Sequence, residues 1–352
     1  MSDATEHLLG DLGERGIQER VLRPRYRDTE SYGDDSALLG TVDGPSELVA
    51  TTDSCPTPVV DQLRERDLYH SGWLLITINL SDLAAAGAEP LGLVVNYTLP
   101  KATTVREFER LLDGVDDCCA AHSTKVVGGD ISDGEVPHLT ATAIGRCAPG
   151  RRLRRTGVRV GDSLLLVGSP GFLWAAALAK ARKMTLSAVA EQKIWQRASR
   201  PMAQLAGSRL LARSGLARAA MDISDGLFAT VRALCEANGL GAAITDEFEL
   251  EDPLSQVVEQ SGLRSFDLAQ TWGDWGLVVV TRAGDAEAAM NVLRNNGVSV
   301  QEIGVFTADR RITVGADARL WQGKAQERFS DRSWHGGDLE DQISAVLGTP
   351  PS

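Results

Sequence analysis

WLLITINLSDLAAAG, running from Trp73 to Gly87, is the stretch whose reading settles the kind of fold this chain adopts. Its apolar residues recur at helical spacing and its last turn is built from Ala and Gly, so it reads as a tightly packed helix. One acid, Asp82, interrupts the apolar run. A short apolar run ending in an acid, Leu48 to Asp53, precedes it, and a strand-like run, Leu91 to Leu99, follows it. Strand, buried helix and strand in succession predict layered sheet and helix packing.

The same alternation continues outward. Thr104 to Ala121 reads as an acidic amphipathic helix, Lys125 to Asp130 as a strand that delivers an acid, and Leu139 to Gly145 as the strand after it. Pro149 and the basic stretch Gly150 to Arg159 read as a connection between domains. Beyond it the pattern predicts a strand over Ser163 to Gly168, a helix over Met202 to Ser214 and an acidic turn after Met221. A strand over Gly276 to Thr281, a helix over Asp285 to Asn295 and a strand over Ile312 to Val314 follow. A chain of 352 residues exceeds the size at which one core usually keeps growing. The expectation is a mixed-sheet α/β (α+β) protein of two domains, residues 1–149 and 150–352.

Composition narrows the partners. With 43% hydrophobic and 5% aromatic residues the chain has ample core for a soluble protein. A formal net charge of −12 argues against a broad basic face for nucleic acid or anionic lipid. The five cysteines, Cys55, Cys118, Cys119, Cys147 and Cys235, form no CxxC pair and have no His at zinc spacing, so reduced thiols in a cytoplasmic protein are expected. Met1 to Gly10 has no apolar core of a secretory signal, and the apolar stretch Ser163 to Ala179 is broken by Gly168, Ser169, Pro170 and Gly171. No membrane span is expected.

The chemistry lies in acids placed among small or apolar residues at the ends of elements, where an uncompensated charge is costly. They are Asp34 and Asp35 in GDDSALL, Asp53 in ATTDS, Asp82 in INLSDLAAAG, Asp130 in VVGGD, and Asp222 and Asp225 in MDISDGL. Each singly also suits a helix cap, an exposed helix position or an Asx turn. Two carboxylates about 4 Å apart repel by roughly 4 kcal/mol at an effective dielectric of 20, and phosphates would multiply that. Gathered together, these acids call for divalent cations. Mg2+ suits them, because it takes carboxylate and phosphate oxygens and needs no all-protein cage; zinc is disfavoured without Cys or His.

Gly128-Gly129-Asp130 pairs permissive backbone with an acid, which allows close approach to a phosphate and a metal, although a plain bulge has the same appearance. Gly168-Ser-Pro-Gly171 lacks the spacing and Lys of a phosphate loop and reads as a turn. Arg154 and Arg155 could fork onto a phosphate or form part of a solvated linker. No HExxH and no nucleophile-elbow pattern is present, so covalent catalysis is unsupported.

In order, GDDSALL, ATTDS, NLSDLAAAGAEPLGLVV, VVGGD, RTGVRVGDSLLLVG and MDISDGL resemble thiamine-monophosphate kinase. That family belongs to the PurM-like superfamily of aminoimidazole ribonucleotide synthetase, with the selenophosphate synthetases and the hydrogenase-maturation cyanide-forming enzyme. The likeness covers Gly33 to Leu227 and is thin in the last third. It implies a homodimer of two-domain subunits, with N-terminal sheets pairing across the dimer and ATP near that interface. Carried over by position, Asp35, Thr51, Thr52, Asp53, Asp82, Asp130, Asp222 and Asp225 would bind Mg2+, and Gly129, Asp130, Arg155 and Ser224 would contact the nucleotide. Asp53, Asp130 and Asp222 would be the catalytic acids.

The acceptor side departs from the family. Its TD motif leads into a segment with a substrate-contacting His, whereas this chain reads Ser54-Cys-Pro-Thr-Pro-Val-Val60. Its GGEDYEL signature, which supplies an acid to the substrate pocket, appears as Thr271-Trp-Gly-Asp-Trp-Gly-Leu277, where Asp274 survives. Trp334 is the counterpart of a late Trp that stacks on substrate. The two tryptophans Trp272 and Trp275 suit either an acceptor pocket or core packing.

An aspartate-rich site without a nucleophile is chemically sufficient for phosphoryl transfer. The expected activity is Mg-ATP-dependent transfer of the γ-phosphoryl group to a small-molecule acceptor, thiamine phosphate or another. Two alternatives stand: a synthetase that activates an amide or carbonyl oxygen by phosphorylation, and a nucleotide-binding homologue without catalysis. The selenophosphate and cyanide-forming branches need terminal cysteines, which MSDATEH and GTPPS do not offer.

Overall fold

A computed structural model of the chain describes residue 19 and residues 37–42, 46–323 and 338–347. Asp34, Asp35 and Trp334 lie outside the described residues. In the first half, β1 (Ala37–Val42), β2 (Ser46–Ser54), β3 (Glu89–Leu99), β4 (Val126–Asp133) and β5 (His138–Cys147) form one sheet in the order β1-β2-β5-β3-β4. Its register follows the period of two. In β5, Leu139, Ala141, Ala143, Gly145 and Cys147 turn to the buried face while the residues between them turn away. Helices α1 (Leu68–Ala85) and α2 (Val105–Ala121) cover that face.

The helix predicted from Trp73 begins five residues earlier, because the Asp67 side chain caps it by accepting from Tyr69 N at 3.0 Å. It ends where Gly87 takes φ 70°, with Gly87 N donating to Ala84 O at 2.9 Å. α2 starts with a capping box in which Thr104 and Glu107 bond reciprocally. The two helices cross at a pair of glycines. A Cβ on Gly72 would come within 2.0 Å of Leu111 O, and one on Gly114 within 2.0 Å of Tyr69 O.

The second sheet contains β6 (Ser163–Val167), β7 (Ala217–Asp222), β8 (Gly241–Ile244), β9 (Leu277–Thr281), β10 (Val300–Thr307), β11 (Ile312–Val314) and β12 (Arg319–Leu320), in the order β12-β11-β8-β10-β6-β9-β7. β6 and β9 are buried along their whole length, as their unbroken apolar runs require. Around the sheet lie α3 (Phe172–Ala181), α4 (Ala188–Ser199), α5 (Leu205–Ser214), α6 (Leu227–Asn238), α7 (Asp252–Ser261), α8 (Ser265–Ala269), α9 (Ala286–Arg294) and α10 (Leu339–Leu347). The helix expected from Met202 starts at Leu205, and no strand was expected at β1, β7, β8, β10 or β12, nor a helix at α4, α6, α7, α8 or α10. None of the described helices is long and apolar enough to cross a membrane.

The two sheets meet along α1. Trp73 Nε1 and Thr77 Oγ1 donate to Pro201 O at 2.8 and 3.0 Å, and Ser208 Oγ of α5 donates to Ala84 O. Gly72→Ala is expected to lower stability by about 2 kcal/mol or more, since an added methyl must push two helix backbones apart. Urea unfolding checks this; an unchanged midpoint contradicts the close crossing.

Candidate functional site

Asp53 closes the sequence ATTD on β2, and alternation puts Thr51 and Asp53 on the face toward α1 and Thr52 on the other. Thr51 Oγ1 donates to Asp82 Oδ2 at 2.5 Å, and Asp53 N donates to Asn79 Oδ1 at 3.1 Å. Thr52 Oγ1 donates to Ala141 O at 2.9 Å and accepts from Thr142 Oγ1 at 3.0 Å. The side chains of Thr51 and Thr52, both expected to bind Mg2+, therefore lie on opposite faces of the sheet.

Asp222 ends β7 and is buried, with Oδ2 accepting from Ser81 Oγ at 3.0 Å. The turn Ile223–Gly226 that follows carries the half-buried Ser224 and Asp225 into the N-terminus of α6, where Gly226 needs its φ of 88°. Thr230 Oγ1 ties the helix back to Asp222 O at 2.9 Å. This places backbone N–H groups and the positive end of a helix beside the acids, an arrangement that favours phosphate.

Asp130 is exposed on β4, the edge strand, in register with Asn96. Gly129 is in the cross-strand row of Asp53, through Ala141 and Val95, so two strands separate them. At the usual strand spacing that is roughly 14 Å, a gap for a nucleotide to bridge, not one ion. A Cβ at Gly129 would meet Val95 O at 2.0 Å, whereas one at Gly128 would meet nothing within 4 Å among the described residues. The first glycine leaves open space and the second lets the strands close. Arg154 and Arg155 are half-buried, their carbonyls accepting from Ala220 N at 3.1 Å and Asn238 Nδ2 at 2.8 Å.

Among the described residues, no three His, Cys, Asp or Glu side chains converge as a ready-made cation cage. The aspartates are instead distributed over β2, α1, β4 and the β7–α6 turn. Their oxygens are the hard donors that Mg2+ accepts, and Mg2+ completes its shell with water and phosphate, so the donor set suits an ion shared with a nucleotide. Asp53, Asp82 and Asp222 are the acids that α1 links. The five cysteines are free thiols, and burial pushes Cys118, Cys119 and Cys235 up to about 12 and Cys147 to about 11. They supply no thiolate.

Asp274, the acid expected in the acceptor pocket, has a structural partner. Its Oδ2 accepts from Gly171 N at 2.7 Å and its Oδ1 from Leu173 N at 3.1 Å, at the N-terminus of α3. Gly171 has no side chain to cap that helix, and Asp274 does so from the loop that enters the neighbouring strand β9, at the same end of the sheet. In the neighbouring core, Trp272 meets Trp174 edge-on with ring centroids 5.1 Å apart. Trp275 differs: it holds φ 53°, a strained value for a bulky residue, and its buried indole N–H has no hydrogen-bond partner among the described residues. Its loop is bound to the acidic turn, Ile223 N donating to Gly276 O at 2.9 Å and Leu227 N to Gln270 O at 3.1 Å.

Comparisons with known proteins show the family to which the chain belongs. The family model "AIR synthase related protein, N-terminal domain" matches residues 33–147 and its C-terminal counterpart matches residues 159–317. Thiamine-monophosphate kinase from Synechococcus elongatus is 31% identical over 249 residues, covering 69% of this chain and 74% of that one. This chain belongs to the thiamine-monophosphate kinase family. The family is one of ATP-dependent kinases within the PurM-like superfamily. The Aquifex aeolicus relative is 29% identical, covering 76% of this chain and 84% of its own. A solved structure of AaThiL complexed with AMPPCP and TMP has a TM-score of 0.78 at 26% identity, covering 92% of this chain and 99% of that one. The two-domain mixed-sheet architecture expected from the sequence is the fold of these relatives.

Burial pushes Asp274 up from 3.8 to about 6, outweighing the N–H groups of Gly171, Leu173 and Phe172 and the charge of Arg197. A folded value above the unfolded one means a contribution fully present below pH 3.8 and lost as pH rises through 6. Relative to Asp274→Asn, the wild type is expected to lose about 3 kcal/mol between pH 4 and pH 8. Denaturant titrations at both values check this; a pH-independent difference contradicts it.

Proposed function

We propose that the chain transfers the γ-phosphoryl group of ATP to a small-molecule acceptor, using Mg2+. The observation that carries this reading is the convergence on α1: Asp53 N on Asn79, Thr51 on Asp82 and Ser81 on Asp222. In the proposed arrangement Asp53, Asp82, Asp222 and Asp225 hold Mg2+, with Asp35 and Thr51 as further ligands. Gly129, Asp130, Arg155 and Ser224 contact the nucleotide, Asp130 also reaching a metal. Mg2+ neutralises charge on the phosphates, and the protein's work is positioning. The ATP analogue in the structurally similar AaThiL complex supports the nucleotide assignment.

Thiamine monophosphate is the first acceptor to test, because the relatives act on it by name. A different acceptor is favoured by one observation: Asp274, the surviving acid of the late signature, faces the N-terminus of α3. Trp275 would then present its N–H to an oxygen of the acceptor. With Mg-ATP and thiamine monophosphate, a kinase yields ADP and a phosphorylated acceptor in equal amounts, whereas a synthetase yields ADP and free phosphate. Asp130→Asn is expected to cut turnover by about a hundredfold or more while leaving the unfolding midpoint in place. Full activity in that variant contradicts the assignment.

The protein is proposed to be a cytoplasmic homodimer joined through the five-stranded sheet. Leu91 and Val94 on β3 and Val127 on β4 are exposed apolar residues that a second copy would cover. Light scattering should give twice the chain mass, and Val94→Asp should halve it. A monomeric wild type contradicts the pairing.

A further inference from the structure

The Asn79–Asp82 turn of α1 sends hydrogen bonds in two directions, and each reaches an element bearing a proposed metal ligand. Asn79 is fully buried; its Oδ1 accepts from Asp53 N at 3.1 Å, while its Nδ2 is held by Leu75 O at 2.9 Å. Asp82 accepts from Thr51 on the same strand as Asp53. Ser81 points the other way. It is 1% exposed and its hydroxyl donates at 3.0 Å to Asp222 Oδ2, at the end of β7 in the other sheet.

Ser81 and Asp82 are adjacent, so the hydroxyl that orients Asp222 shares a backbone with the acid opposite. We propose that Ser81 is a positioning residue which fixes the orientation of the Asp222 carboxylate against Asp82 and so sets the affinity for divalent cations. The inference rests on the metal and nucleotide reading above. A carboxylate at a strand end can rotate about two side-chain bonds, and a donor fixed in a packed helix selects one rotamer. Groups that orient metal ligands in this way are typically worth 10–100-fold in metal affinity or activity.

A merely structural hydroxyl is available for comparison. Ser208 on α5 is fully buried, donates to Ala84 O on α1 and also joins the two halves, but among the described residues its hydroxyl bonds no carboxylate. The test uses the full chain with AMPPCP, Mn2+ as the probe read by electron paramagnetic resonance, and a thermal unfolding scan. Ser81→Ala and Ser208→Ala are expected to lower the unfolding midpoint alike. Ser81→Ala should weaken Mn2+ binding about tenfold or more, while Ser208→Ala stays within about twofold of wild type. Ser81→Cys, close in volume and a weak donor, carries the test should the alanine variant not fold, with the same ordering expected. Equal Mn2+ affinity in the Ser81 variant and wild type, or equal weakening in the Ser81 and Ser208 variants, overturns the inference. A wild type that binds no Mn2+ with AMPPCP overturns the underlying metal reading, and the inference with it.

Discussion

The structure depends on one buried helix that is apolar enough to sit between two sheets and polar enough to be bonded to both. Thr77, Asn79 and Ser81 of α1 are at most 1% exposed, and each makes a side-chain hydrogen bond. Burying such groups costs free energy unless they are paired, so their partners fix where α1 lies as well as how tightly it packs. A purely apolar helix could slide along either sheet. This one is registered against β2 through Thr51 and Asp53, against β7 through Asp222, and against the Pro201 carbonyl through Trp73 and Thr77.

The proposed function follows from that registration. Phosphoryl transfer asks the protein to hold charged groups in fixed relation and to neutralise developing charge. The acids need not form a cage in the folded chain, since the phosphates of a nucleotide supply the missing oxygens. Their distribution over both halves means that no single domain holds the set. The helix N-terminus after Asp222 and the open space at Gly128 complete a surface suited to a polyanion.

Much of this was legible in the sequence, and the remainder was hidden for definable reasons. α1 was readable because helical spacing and an Ala-rich end leave few alternatives, and Ile312–Val314 was readable as a short strand between turn residues. β10 was missed because a register shift between Glu302 and Gly304 breaks the period-two alternation. α6 begins inside the acidic turn without a side-chain cap to announce it. The acids stood out because isolated charge among apolar residues is costly. Asn79 and Ser81 are neutral and carried no such signal, although they connect the acids. Thr51 and Thr52 looked equivalent in sequence, and only the pleat separates them. Asp274 looked like a substrate group because a helix capped from a hundred residues away leaves no local trace.

The central claim is that α1 assembles acids from both halves into one cation and nucleotide site. Crystals grown with Mn2+ and AMPPCP, measured for anomalous scattering, test it most directly. The account predicts ions about 2.1 Å from carboxylate oxygens of Asp82 and Asp222, bridged to the phosphates. Nucleotide bound without an ion at either acid, or with ions held elsewhere, would contradict it.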